Sequence, residues 1–185
     1  MIFTETSLSG AYIVEMQPFV DNRGWFSRFY CKNEFTAIDF HGEWLQMNHS
    51  YTSKRGSIRG MHFQFPPHQE VKLVRCIRGK VFDVIVDLRE DSHTFLKWFG
   101  IELSAENKRA IFIPEGVAHG FQTMEEDCEL IYCHSNFFAK DGEGGIRYND
   151  SVINISWPLA ISEISDRDRE YQLLDPSFKG IKLKR

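Results

Sequence analysis

The sequence predicts an all-β protein of the sandwich or barrel type, and within that class a jelly roll. The first observation is a series of short strand-like runs separated by turn signals, without the alternation of strands and long helices that marks crossover units. The second is a hydrophobic fraction of 42% that includes 16 phenylalanines, enough for a core rich in aromatic rings. The chain length fits one domain, residues 1–185, with terminal segments packed on the barrel.

Eight runs have the composition and alternation of strands. In chain order they are residues 11–19, 44–51, 57–65, 71–77, 80–88, 95–103, 109–113 and 128–135. Turn signals lie between them, at residues 21–24, 78–79, 89–92, 114–116 and 141–142. The run 80–88 is apolar on one face and partly on the other, as in a central strand. Residues 34–40 suggest a short helix, and the polar segment after Pro158 suits a strand or short helix folded back over the barrel.

Composition argues against several classes of function. The formal net charge of -4 gives no general attraction to nucleic acid or to a membrane. The sequence shows no apolar run of bilayer length and no signal-peptide pattern at its first residues. Lys182, Lys184 and Arg185 form a short basic tail, interpreted as a solvated terminus. The four cysteines lack CxxC spacing and favour reduced, buried thiols, so we expect a cytoplasmic protein.

The most informative window begins at Arg59 and combines cations, a histidine, an amide and aromatic rings. Alternation along a strand places His62 on one face with Gln64, and Arg59 on the other. The next run places Lys72 on the same face as Glu70. A histidine and a lysine that converge on one cavity can remove a proton and stabilise the resulting negative charge.

An ordered set of short motifs covers nearly the whole chain. It includes Asp21-x-Arg23-Gly24-x-Phe26, Gln46-x-Asn48-x-Ser50, Arg59-Gly60-x-His62-x-Gln64-x-Pro66-Pro67, Lys72-Leu73-Val74-Arg75, Pro114-x-Gly116-x-Ala118-His119-Gly120-Phe121, Tyr132, Asn149-Asp150, Trp157-Pro158 and Ser165-Asp166-Arg167-Asp168. Each motif alone is a weak signal, but the ordered set is highly specific. It resembles the dTDP-4-dehydrorhamnose 3,5-epimerase family.

The resemblance implies a cupin-type jelly roll, or double-stranded β-helix, with short peripheral helices. It implies an isomerase that inverts C3 and C5 of a nucleoside-diphosphate 4-keto-6-deoxyhexose, as in the conversion of dTDP-4-dehydro-6-deoxyglucose to dTDP-4-dehydrorhamnose. Such a reaction belongs to deoxysugar and cell-surface polysaccharide biosynthesis, including lipopolysaccharide. The resemblance further implies a homodimer, without a cofactor, in which the N-terminal segment reaches the partner.

Four residues match the family's catalytic positions, and each also has a purely structural interpretation. His62 matches the base, because an imidazole accepts protons near neutral pH, although a lone histidine is more often a core residue. Asp168 matches the carboxylate that bonds the base, or is a helix N-cap or solvated charge. Lys72 matches the cation that faces the enolate oxygen, or is an exposed strand lysine. Tyr132 matches the acid on the opposite face, or is a core tyrosine.

Substrate contacts are implied in the same way. They are Arg23 and Arg59 for the diphosphate, Phe26 for stacking, Gln46 and Asn48 for a base edge, and His119 for the sugar pocket. Phe26 suits the core equally well. His119 also lies in a Pro-x-Gly-x-x-His motif similar to the second metal motif of cupins. Residues 79–83 lack the His-x-His pair of the first motif, so ligand counting predicts a metal-free site.

Three positions depart from the family pattern. Arg28 stands where glutamate is usual, which leaves open the nucleotide base; Phe138 and Tyr148 replace a tyrosine and a tryptophan, which leaves open inversion at C3 alone. The alternatives are therefore a C3-only epimerase acting on a dTDP-, CDP- or GDP-linked 4-keto sugar, a non-catalytic sugar-binding cupin, and a metal-dependent cupin dioxygenase. Retention of the four catalytic matches argues against the binding-only alternative.

Overall fold

The computed structural model describes residues 1–183; Lys184 and Arg185 of the basic tail lie outside the described residues. The strands are β1 (Ile2–Glu5), β2 (Tyr12–Glu15), β3 (Phe19–Asp21), β4 (Gly24–Phe26), β5 (Gln46–Thr52), β6 (Ile58–Gln64), β7 (Lys72–Arg78), β8 (Lys80–Asp87), β9 (Trp98–Ser104), β10 (Arg109–Ile113), β11 (Val117–Thr123), β12 (Cys128–His134) and β13 (Glu143–Gly145). The helices are α1 (Lys32–Phe35) and α2 (Asp166–Glu170), with 3₁₀ turns at Thr36–Ile38 and Lys140–Gly142. The predicted all-β fold with short peripheral helices is confirmed.

Two antiparallel sheets form the body of the protein. The six-stranded sheet has the order β1-β2-β10-β7-β12-β5, and the five-stranded sheet has the order β13-β6-β11-β8-β9. β3 and β4 form a separate hairpin. Strands that are neighbours in each sheet are mostly distant in sequence, which is the connectivity of a jelly roll. Within residues 1–183, no helix is both long enough and apolar enough to cross a membrane.

The main core lies between the two sheets. Val74, Ile111 and Leu130 point inward from the six-stranded sheet, and Ile85 and Phe121 meet them from the other; all five are at most 2% exposed. These side chains alternate with outward-facing residues, as expected for two sheets packed face to face. An aromatic cluster closes one end, where Phe35 of α1 and Phe40 beyond it pack against Phe112 of the six-stranded sheet.

Each predicted run overlaps an observed strand, whereas the short strands β1, β4 and β13 were not predicted. Two further differences are informative. The run 11–19 is divided into β2 and β3 near Pro18, since a proline cannot donate a hydrogen bond to the ladder. β11 was not predicted, because every one of its residues is buried and its sequence shows no alternation. The strand 80–88 is central as predicted, since β8 lies between β11 and β9.

Candidate active site

A cavity of about 840 Å³ opens between the sheets. β5, β7 and β12 line it from the six-stranded sheet, β6 and β11 from the five-stranded sheet, and α2 with its preceding segment covers one side. Its walls include the predicted residues His62, Lys72, Tyr132, Asp168, Asn48, Arg59 and His119. Residues far apart in sequence therefore converge on one space.

His62 and Asp168 form a hydrogen-bonded pair in this cavity. His62 Nε2 lies 2.7 Å from Asp168 Oδ1, and the backbone N–H of Gly60 donates to Asp168 Oδ2 at 3.1 Å. Asp168 is only 2% exposed. Its burial raises the carboxyl pKa, but the hydrogen bond and charge of His62, with the Gly60 N–H and Arg167, outweigh burial and hold the pKa of Asp168 below its usual value.

The local structure of α2 fixes Asp168 in place. Ser165 is the N-cap, and its hydroxyl accepts the backbone N–H of Asp168 at 3.1 Å. The sequence left Asp168 as either the partner of His62 or a helix N-cap. In the structure Ser165 is the N-cap, and Asp168 is the partner of His62. Arg167 from the same helix places Nη2 3.2 Å from His62 Nε2 and bonds Glu143 at 2.8 Å.

β6 contains an irregularity that determines which side chains reach the cavity. On β11, His119 pairs with His62 and Phe121 pairs with Arg59, so β6 carries one extra residue between the two pairs. Gly60 lies at this point with a φ of 125°, and a Cβ there would stand 2.5 Å from the Cα of Gly120. Arg59 and His62 therefore line the same cavity, and the prediction that they occupy opposite faces is wrong.

Lys72 is buried in the wall of the cavity and has two fixed partners. Its Nζ lies 3.3 Å from Glu70 Oε1 and donates to the backbone carbonyl of His62, also at 3.3 Å. The side chain is 8% exposed. The interpretation of Lys72 as an exposed strand residue is therefore wrong.

Tyr132 projects into the cavity from β12, on the sheet opposite His62. Its hydroxyl lies 2.9 Å from Ser50 Oγ, and its ring lies edge-on to His119 at 6.1 Å. Burial raises the pKa of Tyr132 well above its usual value, with the hydrogen bond of Ser50 opposing the shift. The phenol therefore remains protonated at neutral pH, as a proton donor must.

His119 lines the same cavity and belongs to a second imidazole–carboxylate pair. His119 Nε2 is 2.8 Å from Asp83 Oδ2, and Asp83 is fully buried. Burial raises the pKa of Asp83, although His119 opposes the shift. Within the described part of the chain, no group of three or more His, Cys, Asp or Glu side chains is arranged to hold a metal ion. Among these residues, His119 is engaged by one carboxylate, that of Asp83.

Comparison with known proteins places this site in a family. The family model described as dTDP-4-dehydrorhamnose 3,5-epimerase matches residues 5–176. The chain belongs to this epimerase family. A dTDP-4-dehydrorhamnose 3,5-epimerase from Salmonella typhimurium is 44% identical over 180 residues, which cover 96% of this chain and 98% of the relative.

Solved structures agree with the epimerase family assignment. The dTDP-4-dehydrorhamnose 3,5-epimerase from Elizabethkingia anophelis has a TM-score of 0.91 and 38% identity, covering 96% of this chain and 98% of its own. The dTDP-6-deoxy-D-glucose-3,5-epimerase from Legionella pneumophila, solved in complex with dTDP-4-keto-L-rhamnose, has a TM-score of 0.91 and 31% identity, covering 100% and 99%. The cupin-type jelly roll implied by the resemblance is therefore confirmed.

Three predicted substrate residues do not line the cavity of their own chain. Arg23 lies at the turn between β3 and β4, where it pairs with Asp21 at 2.5 Å and is highly exposed. Phe26 on the same hairpin is 76% exposed, so its interpretation as a core residue is wrong. Gln46 uses its amide within the protein, donating to Asn48 at 3.1 Å.

The departures from the epimerase family pattern occupy different places. Phe138 lines the cavity, whereas Tyr148 lies outside its lining and accepts the indole N–H of Trp157 on its backbone carbonyl. Arg28 is away from the cavity and pairs with Glu34 at 2.5 Å. Only the substitution at Phe138 changes the chemistry of the cavity wall, where it replaces a phenol with a phenyl ring.

Several residues of the site were not predicted. They are Ser50, Asp83, His134 and Arg167. For Glu70, only a face shared with Lys72 was predicted, and its contacts with Lys72 and His134 were not. Two of them carried a usable signal: Ser50 and His134 each stand two positions from a predicted site residue on a strand, and so share its face. Asp83 carried none, because a buried aspartate within an apolar run cannot be paired with its histidine from spacing.

Proposed function

We propose that the chain is a nucleotide-sugar 3,5-epimerase that converts dTDP-4-dehydro-6-deoxyglucose to dTDP-4-dehydrorhamnose in deoxysugar biosynthesis. The observation that carries the proposal is the pair of His62 and buried Asp168 facing Lys72 and Tyr132 across one cavity. Four free thiols fit a reducing compartment, so we place the reaction in the cytoplasm.

The geometry accounts for each proton and electron pair. The C4 ketone acidifies the hydrogens on C3 and C5; His62 takes one proton, and the electrons of the broken C–H bond move onto the C4 oxygen. Asp168 engages Nε2, which orients the imidazole and stabilises the imidazolium that forms. Lys72 stabilises the enolate oxygen by its charge. Because Tyr132 lies on the opposite sheet, its phenol gives a proton to the opposite face of the carbon, where the enolate electrons re-form the C–H bond and restore the C4 ketone. The imidazolium then loses its proton to water and the phenolate takes one from water, so both groups are ready for inversion at the second carbon.

Positive charge at the cavity serves the diphosphate. Arg59 is held by Thr52 Oγ1 at 2.9 Å and by the carbonyl of Tyr51 at 3.1 Å, so its guanidinium has a fixed direction. Arg167 adds a second guanidinium at the wall formed by α2. Two guanidinium groups suit bidentate binding of phosphate oxygens. In this proposal His119, oriented by Asp83, contacts the sugar.

The product identifies the activity. Inversion at C5 changes the sugar from the D to the L series, so the product from dTDP-4-dehydro-6-deoxyglucose, after reduction at C4, should be a 6-deoxy-L-hexose. A 6-deoxy-D-hexose inverted only at C3 would instead establish the C3-only epimerase that Phe138 leaves open. Binding of the sugar without any change in it would establish the non-catalytic cupin. Parallel reactions with CDP- and GDP-linked sugars test the base at the Arg28 departure.

We predict that the enzyme functions without a metal. Proton transfer beside an existing ketone needs neither a hydride carrier nor a Lewis acid when a cation such as Lys72 faces the oxygen. Dialysis against EDTA should leave the rate unchanged, and metal analysis should find no stoichiometric iron or zinc. Loss of the rate on chelation, with recovery on adding one metal ion, would contradict this and favour the metal-dependent alternative.

We predict a homodimer in which the β3–β4 hairpin completes the partner's site. Phe19, Val20 and Phe26 on this hairpin are each more than 75% exposed, an apolar surface that a second copy can cover. Light scattering at micromolar concentration should give twice the chain mass. A monomer with full activity would refute the prediction.

Mixing variants tests whether the hairpin acts across the dimer. An Arg23→Ala/Phe26→Ala protein and a His62→Ala protein should each be weakly active, because each lacks one part of every site. When the two are unfolded and refolded together, half of the dimers are mixed and each has one intact site. Activity should then recover to about a quarter of that of the parent protein. No recovery would assign the hairpin residues to another role.

A further inference from the structure

The cavity wall contains a buried carboxylate that the proposed mechanism does not use. Glu70 is 8% exposed and holds two side chains with its two oxygens. Oε1 lies 3.3 Å from Lys72 Nζ, and Oε2 lies 2.7 Å from His134 Nδ1. His134 is itself only 11% exposed at its side chain. One carboxylate therefore joins the enolate-facing cation to an imidazole on the neighbouring strand.

The hydrogen bonds continue from His134 along the wall. Asn48 Nδ2 lies 3.2 Å from His134 Nε2, and Asn48 Oδ1 accepts from Gln46 Nε2 at 3.1 Å. Gln46 Oε1 accepts the backbone N–H of Phe138 at 3.0 Å. Strand register supports this chain of contacts, since His134 pairs with Lys72 on β7 and with Gln46 on β5. The network thus spans three adjacent strands beneath the cavity.

The charge on Glu70 is maintained by these same partners. Burial raises its carboxyl pKa, but the hydrogen bond of His134 and the charge of Lys72 outweigh burial and hold the pKa of Glu70 below its usual value. A buried carboxylate without partners would be costly, so the three groups stabilise one another. Removing the charge of Glu70 would release Lys72 from its side-chain partner.

The number of donors on Lys72 gives this arrangement a consequence for catalysis. An ammonium group has three N–H bonds. The carbonyl of His62 accepts one of them, and the ion pair with Glu70 at 3.3 Å holds the ammonium group on a second side. A lysine has four rotatable side-chain bonds, and without Glu70 the ammonium group would sample many positions. Glu70 therefore limits the direction in which Lys72 can donate.

We propose that Glu70 and His134 are positioning residues of the epimerase reaction. Glu70 aims Lys72 at the enolate oxygen, and His134 extends the same constraint to Asn48 on the substrate-binding wall. This inference rests on the proposed function. It predicts that the two residues affect different kinetic constants, because Lys72 acts in the transition state whereas Asn48 contacts bound substrate before and during reaction.

The test compares Glu70→Gln with two matched variants. Glu70→Gln keeps the shape and removes the charge, and it should lower kcat on the order of 10–100-fold with KM within about twofold, as for a lost hydrogen bond to a charged group. Glu70→Asp retains the charge and should recover part of this loss. Glu102→Gln is the control, since Glu102 pairs with Lys80 at 3.5 Å on the exposed edge of the other sheet.

His134→Leu tests the second part of the inference. Leucine fills the space but makes neither hydrogen bond, so Asn48 loses one of its two partners while Glu70 retains Lys72. We expect KM to rise about fivefold to tenfold with kcat lowered by less than about threefold. Unchanged constants in both His134→Leu and Glu70→Gln, or equal losses in Glu70→Gln, Glu70→Asp and Glu102→Gln, would overturn the proposal.

A spectroscopic measurement separates this inference from the proposed function. The ¹H–¹⁵N signal of the Lys72 ammonium should be visible in the parent, where its protons are held, and absent or shifted in Glu70→Gln. An unchanged ammonium signal overturns the positioning role even if the parent turns over no 4-keto sugar. A parent without activity, but with the expected signal change, overturns the proposed function alone. If Glu70→Gln does not fold, the measurement is made on Glu70→Asp. The Lys72 ammonium signal should then be shifted or weakened but still visible, and an unchanged signal overturns the positioning role.

Discussion

Replacing His62 with alanine should remove nearly all proton exchange at the sugar while leaving nucleotide binding intact. His62 lines the cavity and combines a proton-accepting nitrogen with the buried carboxylate partner Asp168 on α2. General acid–base catalysis contributes on the order of 10²–10⁴-fold, and without the base both proton removal and inversion depend on water. We expect kcat to fall by about this factor, with the dissociation constant for dTDP changed by less than about threefold. The measurement is deuterium incorporation by NMR with calorimetric binding of dTDP.

A matched control shows that the loss is specific to the site. His41 forms an exposed histidine–aspartate pair with Asp39, with Nε2 3.0 Å from the carboxylate, and it lies outside the cavity. His41→Ala should therefore exchange and invert at the parent rate. Near-parental turnover by His62→Ala would contradict the assignment of the base. Equal losses in the two variants would indicate a general effect on the fold.

Replacing Tyr132 with phenylalanine should separate proton removal from inversion. The ring and its packing remain, so the stability of the core should change little, while the donor on the sheet opposite His62 is lost. His62 can then return the proton or a deuteron to the face from which it came. Deuterium should enter C3 or C5 with the configuration retained, and inversion should fall by on the order of 10²-fold or more.

Tyr51→Phe is the matched control for this prediction. Tyr51 lies on β5, and its hydroxyl bonds Asp127 outside the cavity. Losing that hydroxyl should therefore leave the ratio of inversion to exchange as it is in the parent protein. The ratio of inversion to exchange distinguishes the two variants better than either rate, because a general loss of folded protein lowers both rates equally. If Tyr132→Phe inverts as fast as the parent, Tyr132 is a packing residue and another group supplies the proton.

The architecture was predictable where turn residues bound a strand and its side chains show at least partial alternation. β6, β7, β8 and β12 were all predicted within one or two residues, since alternation and turn residues define them. β11 was not, because burial on both faces leaves no alternation to detect. The irregularity in β6 was also beyond prediction, as it depends on Gly60 meeting the Gly120 backbone on a neighbouring strand. Local sequence defines strands, whereas such pairing depends on tertiary contacts.

The candidate site was predictable to the extent that motifs carry chemistry. His62, Lys72, Tyr132 and Asp168 were predicted from the motif resemblance, and the structure brings them to one cavity. The partners that orient these residues were not predicted, because a carboxylate such as Glu70 becomes informative only when its distance to an ammonium or imidazole is known. Side chains that act directly are recognisable from sequence, whereas those that orient them depend on the register of paired strands.

Site-resolved deuterium exchange is the measurement that tests the proposed activity most directly. The parent protein is incubated with dTDP-4-dehydro-6-deoxyglucose in deuterated water, and NMR follows the sugar protons over time. We expect the signals of the C3 and C5 protons both to disappear, with an L-configured product that carries deuterium at the two carbons and nowhere else on the ring. Exchange at C3 alone would contradict the 3,5-epimerase assignment, and a sugar that retains both protons would contradict epimerisation altogether.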